Sequence, residues 1–223
     1  MRKLLQGILD FRKRVRPTVK GTFAQLAFGQ KPDCILVVCS DSRVAVNVFA
    51  STEPGDMLVC RNAGNIIPPP RADGTSTGDL SEVAILEFGL ERLNIPSIIV
   101  CGHSECGAIG ALISGKPLPD APHLTEWVKN ASGALDPSRF VFHSQKTFAP
   151  QNLVSQRNVL LQLENLKRYP FIAKRIAEGK LRLYGWWFDI AEAEVYSWDE
   201  DAKSFLVLDE VRTARLISQL DTP

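Results

Sequence analysis

The sequence lacks two features that would direct it to a membrane or to nucleic acid. It has no apolar run near the roughly 18 to 20 residues that a membrane helix needs, and residues 1–15 scatter charged side chains among the apolar ones, unlike a secretory signal. It also lacks an excess of one charge, since 26 Lys and Arg against 25 Asp and Glu leave a net charge of +1. We therefore expect a cytoplasmic protein with neither a nucleic-acid nor a membrane partner.

Repeats, low-complexity tracts and interdomain linkers are absent as well. The 223 residues are 45% hydrophobic and 23% charged, which suits a globular chain with a sizeable core. The sequence therefore predicts a single domain over residues 1–223. The five cysteines are an odd number and form no Cys-x-x-Cys pair, so reduced thiols are the better interpretation, some of them able to bind metal.

Short β-rich runs alternate with helical patterns in the first half of the chain. Residues 34–38, 57–60 and 97–101 read as buried strands, and apolar residues between 83 and 93 recur at helical spacing. This βαβ pattern predicts an α/β fold with a central, mainly parallel sheet and flanking helices. Residues 2–15 predict an amphipathic helix ending at Pro17, and a second helix follows near 18–28, so residues 1–28 form an amino-terminal helical arm.

The second half of the chain continues the alternation. Residues 153–169 and 170–178 predict helices, and residues 181–188 predict a further strand. Residues 194–198 and 204–208 predict a closing hairpin, which gives antiparallel edge strands near the carboxyl terminus. Residues 117–150 are richer in Pro, Ser and Asn and carry no motif that we can align.

Two of the predicted strands run directly into residues that bind soft metals. Cys39 follows the first strand, and His103 and Cys106 follow the third. Open α/β sheets place ligand sites at the carboxyl ends of their strands, so the three side chains can converge there. Two thiolates and an imidazole suit Zn²⁺, and three protein ligands leave the fourth tetrahedral position for water or substrate.

A carboxylate and a guanidinium stand beside the first of these ligands. Zinc with two thiolates is formally neutral, so it acidifies its water weakly and needs a helper. Asp41 can accept a hydrogen bond from zinc-bound water or hydroxide, while Arg43 holds the carboxylate away from the metal.

Other candidate residues favour a structural interpretation. Cys34, Cys60 and Cys101 read as small apolar residues of buried strands. His123 and His143 lie in polar stretches with no cysteine nearby, so we expect neither to have a chemical role.

Three segments together resemble the signature of the β-class carbonic anhydrases. They are Cys39-Ser40-Asp41-Ser42-Arg43-Val44, Arg61-Asn62-Ala63-Gly64-Asn65 and Gly102-His103-Ser104-Glu105-Cys106-Gly107. The resemblance implies zinc-dependent, reversible hydration of carbon dioxide to bicarbonate and a proton, by zinc-bound hydroxide that an Asp41–Arg43 dyad orients. One Zn²⁺ per chain would be bound by Cys39, His103 and Cys106.

The same resemblance implies a substrate pocket and an oligomer. It places Gln30, Leu58, Gly64, Phe88 and Gly107 around the pocket, with Gln30 reaching it across a dimer interface. It implies a dimer, or a dimer of dimers, in which the amino-terminal helices pack on the partner subunit. Leu58 and Phe88 replace the Phe and Tyr of plant-like members, so the pocket stays apolar but loses a phenol that could relay protons.

Alternatives remain open from the sequence. A carbon disulfide or carbonyl sulfide hydrolase would use the same fold and metal behind a narrower entrance. A non-catalytic zinc scaffold protein would be expected to disrupt the dyad, and a cysteine nucleophile would be expected to have a different base. Leu36 stands where bicarbonate-regulated members carry Trp, so we expect weak or absent regulation of that type.

Overall fold

Six strands form one sheet in the computed structural model, which describes residues 1–143 and 146–220. In the order β2-β1-β3-β4-β5-β6, the first four strands are parallel, and β4, β5 and β6 are antiparallel. The strands are β1 (Cys34–Cys39), β2 (Met57–Asn62), β3 (Ser97–His103), β4 (Arg182–Asp189), β5 (Glu194–Asp199) and β6 (Ser204–Val207). The predicted mainly parallel sheet with antiparallel edge strands is therefore confirmed.

Helices cover both faces of the sheet. Beyond the amino-terminal arm they are α3 (Val46–Phe49), α4 (Ser81–Glu87), α5 (Gly107–Ser114), α6 (Pro122–Val128), α7 (Pro150–Lys167), α8 (Pro170–Ala177) and α9 (Glu210–Leu220). A π-helical turn at Phe88–Arg92 extends α4, and a 3-10 segment at Lys129–Leu135 follows α6. Every residue of β1 is buried, which is why its sequence is a continuous apolar run.

The strand order changes direction around β1. The chain goes from β1 to β2 on one side and then returns to β3 on the other side. The connections that leave the carboxyl ends of β1 and β3 therefore diverge, and in open α/β sheets such a point opens a crevice for ligands. Cys39 ends β1 and His103 ends β3, so both lie at this crevice.

The amino-terminal arm is one helical rod and not two helices separated at Pro17. Helix α1 (Arg2–Asp10), a π-helical turn at Phe11–Val15 and α2 (Arg16–Leu26) follow without a break, so the predicted helix end at Pro17 is wrong. Proline is tolerated there because it occupies the first turn of α2, where its missing N–H costs least.

The arm has an apolar stripe with no cover. No residue of α1, the π-helical turn or α2 is buried. The large exposed apolar side chains of the arm are Met1, Leu4, Leu5, Ile8, Leu9, Phe11, Val15, Phe23 and Phe28. The arm meets the rest of the chain near its end, where Leu26 packs over Gly55.

The carboxyl-terminal helix α9 was not anticipated from the sequence. Arg212 on α9 donates to Asp199 on β5 at 2.7 Å, and both side chains are largely buried. Among the described residues, no helix is long and apolar enough to cross a membrane.

Candidate metal centre

Three ligand side chains meet at the carboxyl ends of β1 and β3. Cys39, His103 and Cys106 are all buried, and their ligand atoms lie within 4.8 Å of one another. The two sulfur atoms, Cys39 Sγ and Cys106 Sγ, are 4.0 Å apart. The structure therefore brings together the three residues that the sequence predicts as metal ligands.

The imidazole of His103 is oriented for a metal. Its Nδ1 lies 2.8 Å from the carbonyl oxygen of Ser104, so Nδ1 carries the proton and Nε2 keeps its lone pair. Nε2 is buried and has no hydrogen-bond partner among the described residues. A buried, unpaired nitrogen beside two sulfur atoms is the donor set that fits Zn²⁺.

Cys39 differs in acidity from the four other cysteines. Hydrogen bonds from Cys106 and from the backbone N–H of Gly64, 3.3 Å away, lower the pKa of the Cys39 thiol. Burial raises the pKa of Cys34 and Cys60 to about 11 and that of Cys101 to about 12. The hydrogen bond to Cys39 and burial raise the pKa of the Cys106 thiol. Among the five cysteines, only Cys39 thus favours a thiolate, which is the form that binds metal.

Asp41 and Arg43 form a tight ion pair beside the cluster. Arg43 Nε and Nη2 donate to the two Asp41 carboxylate oxygens at 3.0 and 2.7 Å, and the Arg43 backbone N–H donates to Oδ1 at 2.9 Å. These bonds hold the pKa of Asp41 well below its usual range. Asp41 Oδ2 lies 4.0 Å from His103 Nε2, so the carboxylate faces the position that a metal ion would occupy.

Arg61 holds the loop that carries this ion pair, a role that sequence reasoning missed. Its guanidinium donates to the carbonyl oxygens of Cys39 at 2.8 Å and of Val44 at 2.9 Å. The two bonds close the loop between these residues and so fix the position of Asp41. The Arg-Asn pair at residues 61 and 62 was noticed as part of a motif, but no contact could be assigned to it without coordinates.

A row of polar side chains on α7 supports the segment after β2. Asn158 donates to the Gly64 carbonyl at 2.9 Å, Gln162 accepts from the Ile67 N–H at 2.8 Å, and Asn165 donates to the Ile67 carbonyl at 2.9 Å. Because these residues are spaced by four and three positions, they lie on one face of the helix, and this pattern is visible in the sequence. The row fixes the backbone of residues 64–67, and the Gly64 N–H in this segment donates to Cys39 Sγ at 3.3 Å.

Two of the five predicted pocket residues lie at the metal cluster. Gly64 has a φ of +82°, and an added Cβ would come within 3.2 Å of Ala108 Cβ, so glycine suits both its backbone and its packing. Gly107 begins α5 directly after Cys106, and a Cβ there would face open space.

Of the other three predicted pocket residues, two lie away from the cluster of their own chain and the third is partly exposed. Leu58 pairs with Ile35 near the start of β1, four positions before the pair of Cys39 and Asn62. Gln30 precedes β1, whose length separates it from the cluster by about 17 Å or more. Phe88 is 45% exposed. Leu36, the residue connected with bicarbonate regulation, is buried in an apolar cluster on the sheet face opposite to that of Cys39.

Comparison with known proteins gives one consistent family. Residues 34–195 match the family model described as carbonic anhydrase. The carbonic anhydrase of Synechococcus elongatus is 36% identical over 214 residues, covering 94% of this chain and 76% of that protein. The carbonic anhydrase of Pseudomonas aeruginosa is 34% identical, covering 97% of this chain and 96% of that protein.

Solved structures agree with the sequence comparison. The β-carbonic anhydrase CcaA superposes with a TM-score of 0.83 at 36% identity, covering 93% of this chain and 98% of the other. One of two tetrameric β-carbonic anhydrases from Sordaria macrospora superposes with a TM-score of 0.73 at 25% identity, covering 88% of this chain and 95% of the other. Together with the buried cluster of two cysteines and a histidine, these matches establish that the chain belongs to the β-class carbonic anhydrases.

Proposed function

We propose that the chain hydrates carbon dioxide reversibly to bicarbonate and a proton, with one Zn²⁺ per chain and with Asp41 and Arg43 orienting the reacting water. The single observation that carries this proposal is the unpaired Nε2 of His103 between two cysteine sulfurs, with the Asp41 carboxylate 4.0 Å from it. Zn²⁺ bound by these donors would supply Lewis acidity that makes water a better nucleophile near neutral pH.

The dyad has two tasks in this proposal. Asp41 accepts a hydrogen bond from the reacting water and so directs a lone pair of its oxygen toward carbon dioxide. Arg43 engages both oxygens of Asp41 and also donates to the Glu105 carbonyl at 3.0 Å. Because that carbonyl belongs to the loop carrying Cys106, Arg43 ties the two metal-binding loops together and keeps Asp41 from becoming a ligand.

The distant pocket residues fit the proposal if a second copy supplies them. Gln30 and Leu58 cannot approach the cluster of their own chain because they are separated from it by much of the length of the strands. The uncovered apolar stripe of the arm supports a homo-oligomer in which the arm packs on a partner. The two β-carbonic anhydrases from Sordaria macrospora are tetrameric, which supports a homo-oligomer for this chain. The partner would then contribute an apolar wall against which carbon dioxide binds.

We propose a cytoplasmic location because the cysteines are unpaired thiols. All five cysteines are free and buried, which suits the reducing cytoplasm.

The test combines metal analysis with stopped-flow hydration of carbon dioxide. Cys39→Ala should lose zinc and activity together, whereas Asp41→Asn should keep one zinc per chain and lose about 100-fold or more in kcat. Cys34→Ala is the matched control, because Cys34 is a buried thiol outside the cluster. Full activity in Asp41→Asn would refute the dyad, and full zinc occupancy in Cys39→Ala would refute the ligand set.

A further inference from the structure

The segment that joins two of the metal-ligand residues turns through an uncommon backbone conformation. His103 ends β3 and Cys106 directly precedes α5, so the chain has two residues in which to turn from one ligand to the other. The second of these, Glu105, has a φ of +53°, in the left-handed region that residues other than glycine and asparagine seldom adopt. Such a conformation persists only where the surrounding contacts hold it. The contacts of Glu105 therefore decide how the two ligands face each other.

Asn152, in the first turn of α7, binds Glu105 at two points. Its Oδ1 accepts from the Glu105 backbone N–H at 2.8 Å, and its Nδ2 donates to Glu105 Oε1 at 3.1 Å. Asn152 is buried, whereas Glu105 is exposed. Both polar atoms of a buried carboxamide are thus directed to one residue, and that residue is the one with the left-handed backbone.

The dyad holds Glu105 from its other backbone group. The Glu105 carbonyl accepts from Arg43 Nη2 at 3.0 Å, so its N–H and its carbonyl are both paired with side chains. The same guanidinium engages both oxygens of Asp41. A shift of Glu105 would therefore move Cys106, which follows it in the chain, and would also disturb the group that orients Asp41.

Two neighbours of Asn152 on α7 bind the ligand residues on either side of Glu105. Ser155 Oγ donates to the His103 carbonyl at 2.7 Å, and Gln151 Nε2 donates to the carbonyl of residue 106 at 3.0 Å. The first two turns of α7 thus bind residues 103, 105 and 106. Among these three contacts, only that of Asn152 is made with the left-handed residue.

We propose that Asn152 is a positioning residue of the metal centre, which holds Glu105 in its left-handed conformation so that His103 and Cys106 can bind one Zn²⁺. This inference rests on the proposed function. Asn152 acts through the backbone of Glu105 and not by binding the ion. Without the Oδ1 acceptor, the Glu105 N–H loses its partner, and the backbone relaxes toward a negative φ that turns Cys106 away from His103.

Zinc retention tests the proposal without relying on activity. The zinc-loaded protein is mixed with an excess of a colorimetric chelator, and the affinity for zinc is obtained from the competition. Asn152→Ala should weaken zinc binding about 10- to 100-fold, as is typical when a group that orients metal ligands is removed. Adding Glu105→Gly to Asn152→Ala should tighten zinc binding again by about fivefold or more, because glycine adopts a positive φ without steric cost.

Glu105→Val tests the same conformation by a second route, which also applies if Asn152→Ala does not fold. The side chain of Glu105 is exposed and Asn152 is kept, but a β-branched residue is strongly disfavoured at a positive φ. We expect zinc binding to weaken about tenfold. Visible absorption of Co²⁺ bound in place of Zn²⁺ reports the ligand geometry, and it should change in Asn152→Ala and in Glu105→Val.

Gln156→Ala is the matched control. Gln156 is a buried amide on the same helix, and neither polar atom of its side chain has a hydrogen-bond partner among the described residues. This variant should bind zinc as tightly as the unmutated protein. Unchanged zinc binding in Asn152→Ala, or a loss that Glu105→Gly does not recover, would overturn the proposal, as would an equal loss in Gln156→Ala. Failure of the proposed function would differ, since the unmutated protein would then bind no zinc or would not hydrate carbon dioxide.

Discussion

The metal end of the sheet and the amino-terminal arm differ in how many of their polar groups and apolar side chains find partners within one chain. At the metal end, Gly64, Ile67 and Cys39 have their backbone groups paired by side chains from α7 and β2. In the arm, no residue of α1 or α2 is buried, and a stripe of large apolar side chains faces outward. The comparison teaches that the ligand cluster is built within one chain, whereas the arm is completed only by something outside it.

The arm gives the largest expected effect. Replacing both Leu5 and Ile8 by Glu should weaken self-association by about a thousandfold or more, near 4 kcal/mol, because two large side chains lose their burial. Light scattering after size exclusion measures the change in mass. Circular dichroism should show an unchanged sheet, and zinc should stay bound. An unchanged mass would contradict the inference that the arm packs on another copy.

The polar row on α7 gives the next largest effect. Gln162→Ala should destabilise the fold by about 3 kcal/mol, because the Ile67 N–H is left buried without a partner. Gln25→Ala in the arm is the matched control and should change stability by less than about 0.5 kcal/mol. Urea unfolding of both variants measures the contrast. Equal effects would remove the distinction between the two regions.

Glu82, a buried residue of α4 whose Oε1 has no hydrogen-bond partner among the described residues, gives a smaller, pH-dependent effect on stability. Its pKa is raised from 4.5 to about 7 in the folded chain, so its stabilising contribution is complete below about pH 4.5 and is lost as the pH rises through 7. At pH 8, Glu82→Gln should therefore be more stable than the unmutated protein by about 2 kcal/mol, and the difference should shrink toward pH 4.5. Thermal unfolding across this range tests the sign. A constant difference would contradict the buried, unpaired carboxyl.

Arg61 gives the smallest effect. Arg61→Lys keeps the charge but cannot make both bonds to Cys39 and Val44 with the same planar fork. We expect zinc to stay bound and kcat to fall up to about tenfold, which corresponds to about 1.4 kcal/mol in the positioning of Asp41. Arg71→Lys is the control on an exposed loop outside the cluster. Loss of zinc in Arg61→Lys would show that Arg61 supports the ligand and not the dyad.

Much of the fold could be predicted from the sequence because local patterns carry it. The buried strands are continuous apolar runs, and the ligands follow strand ends at positions that the α/β topology brings together. The predicted helix end at Pro17 is wrong because a π-helical turn precedes it, so the proline stands in the first turn of α2. No local sequence pattern indicates such a turn.

The rest of the site depends on contacts between residues distant in the chain. The roles of Arg61 and Gln162 follow from the groups to which each side chain is hydrogen-bonded. Without coordinates, a polar residue in a predicted helix is expected to face solvent. The position of Leu58 could not be anticipated either. Its place in the motif says nothing about the register that separates it from Cys39.

The order of the sheet leaves β2 as one of its two margins. Only one side of β2 is hydrogen-bonded to a neighbouring strand among the described residues, and the strand is six residues long, against four for β6 at the other margin. A longer unpaired margin is a template for strand addition by any nearby chain. A subunit in which β2 stays uncovered would therefore be prone to aggregate through this edge.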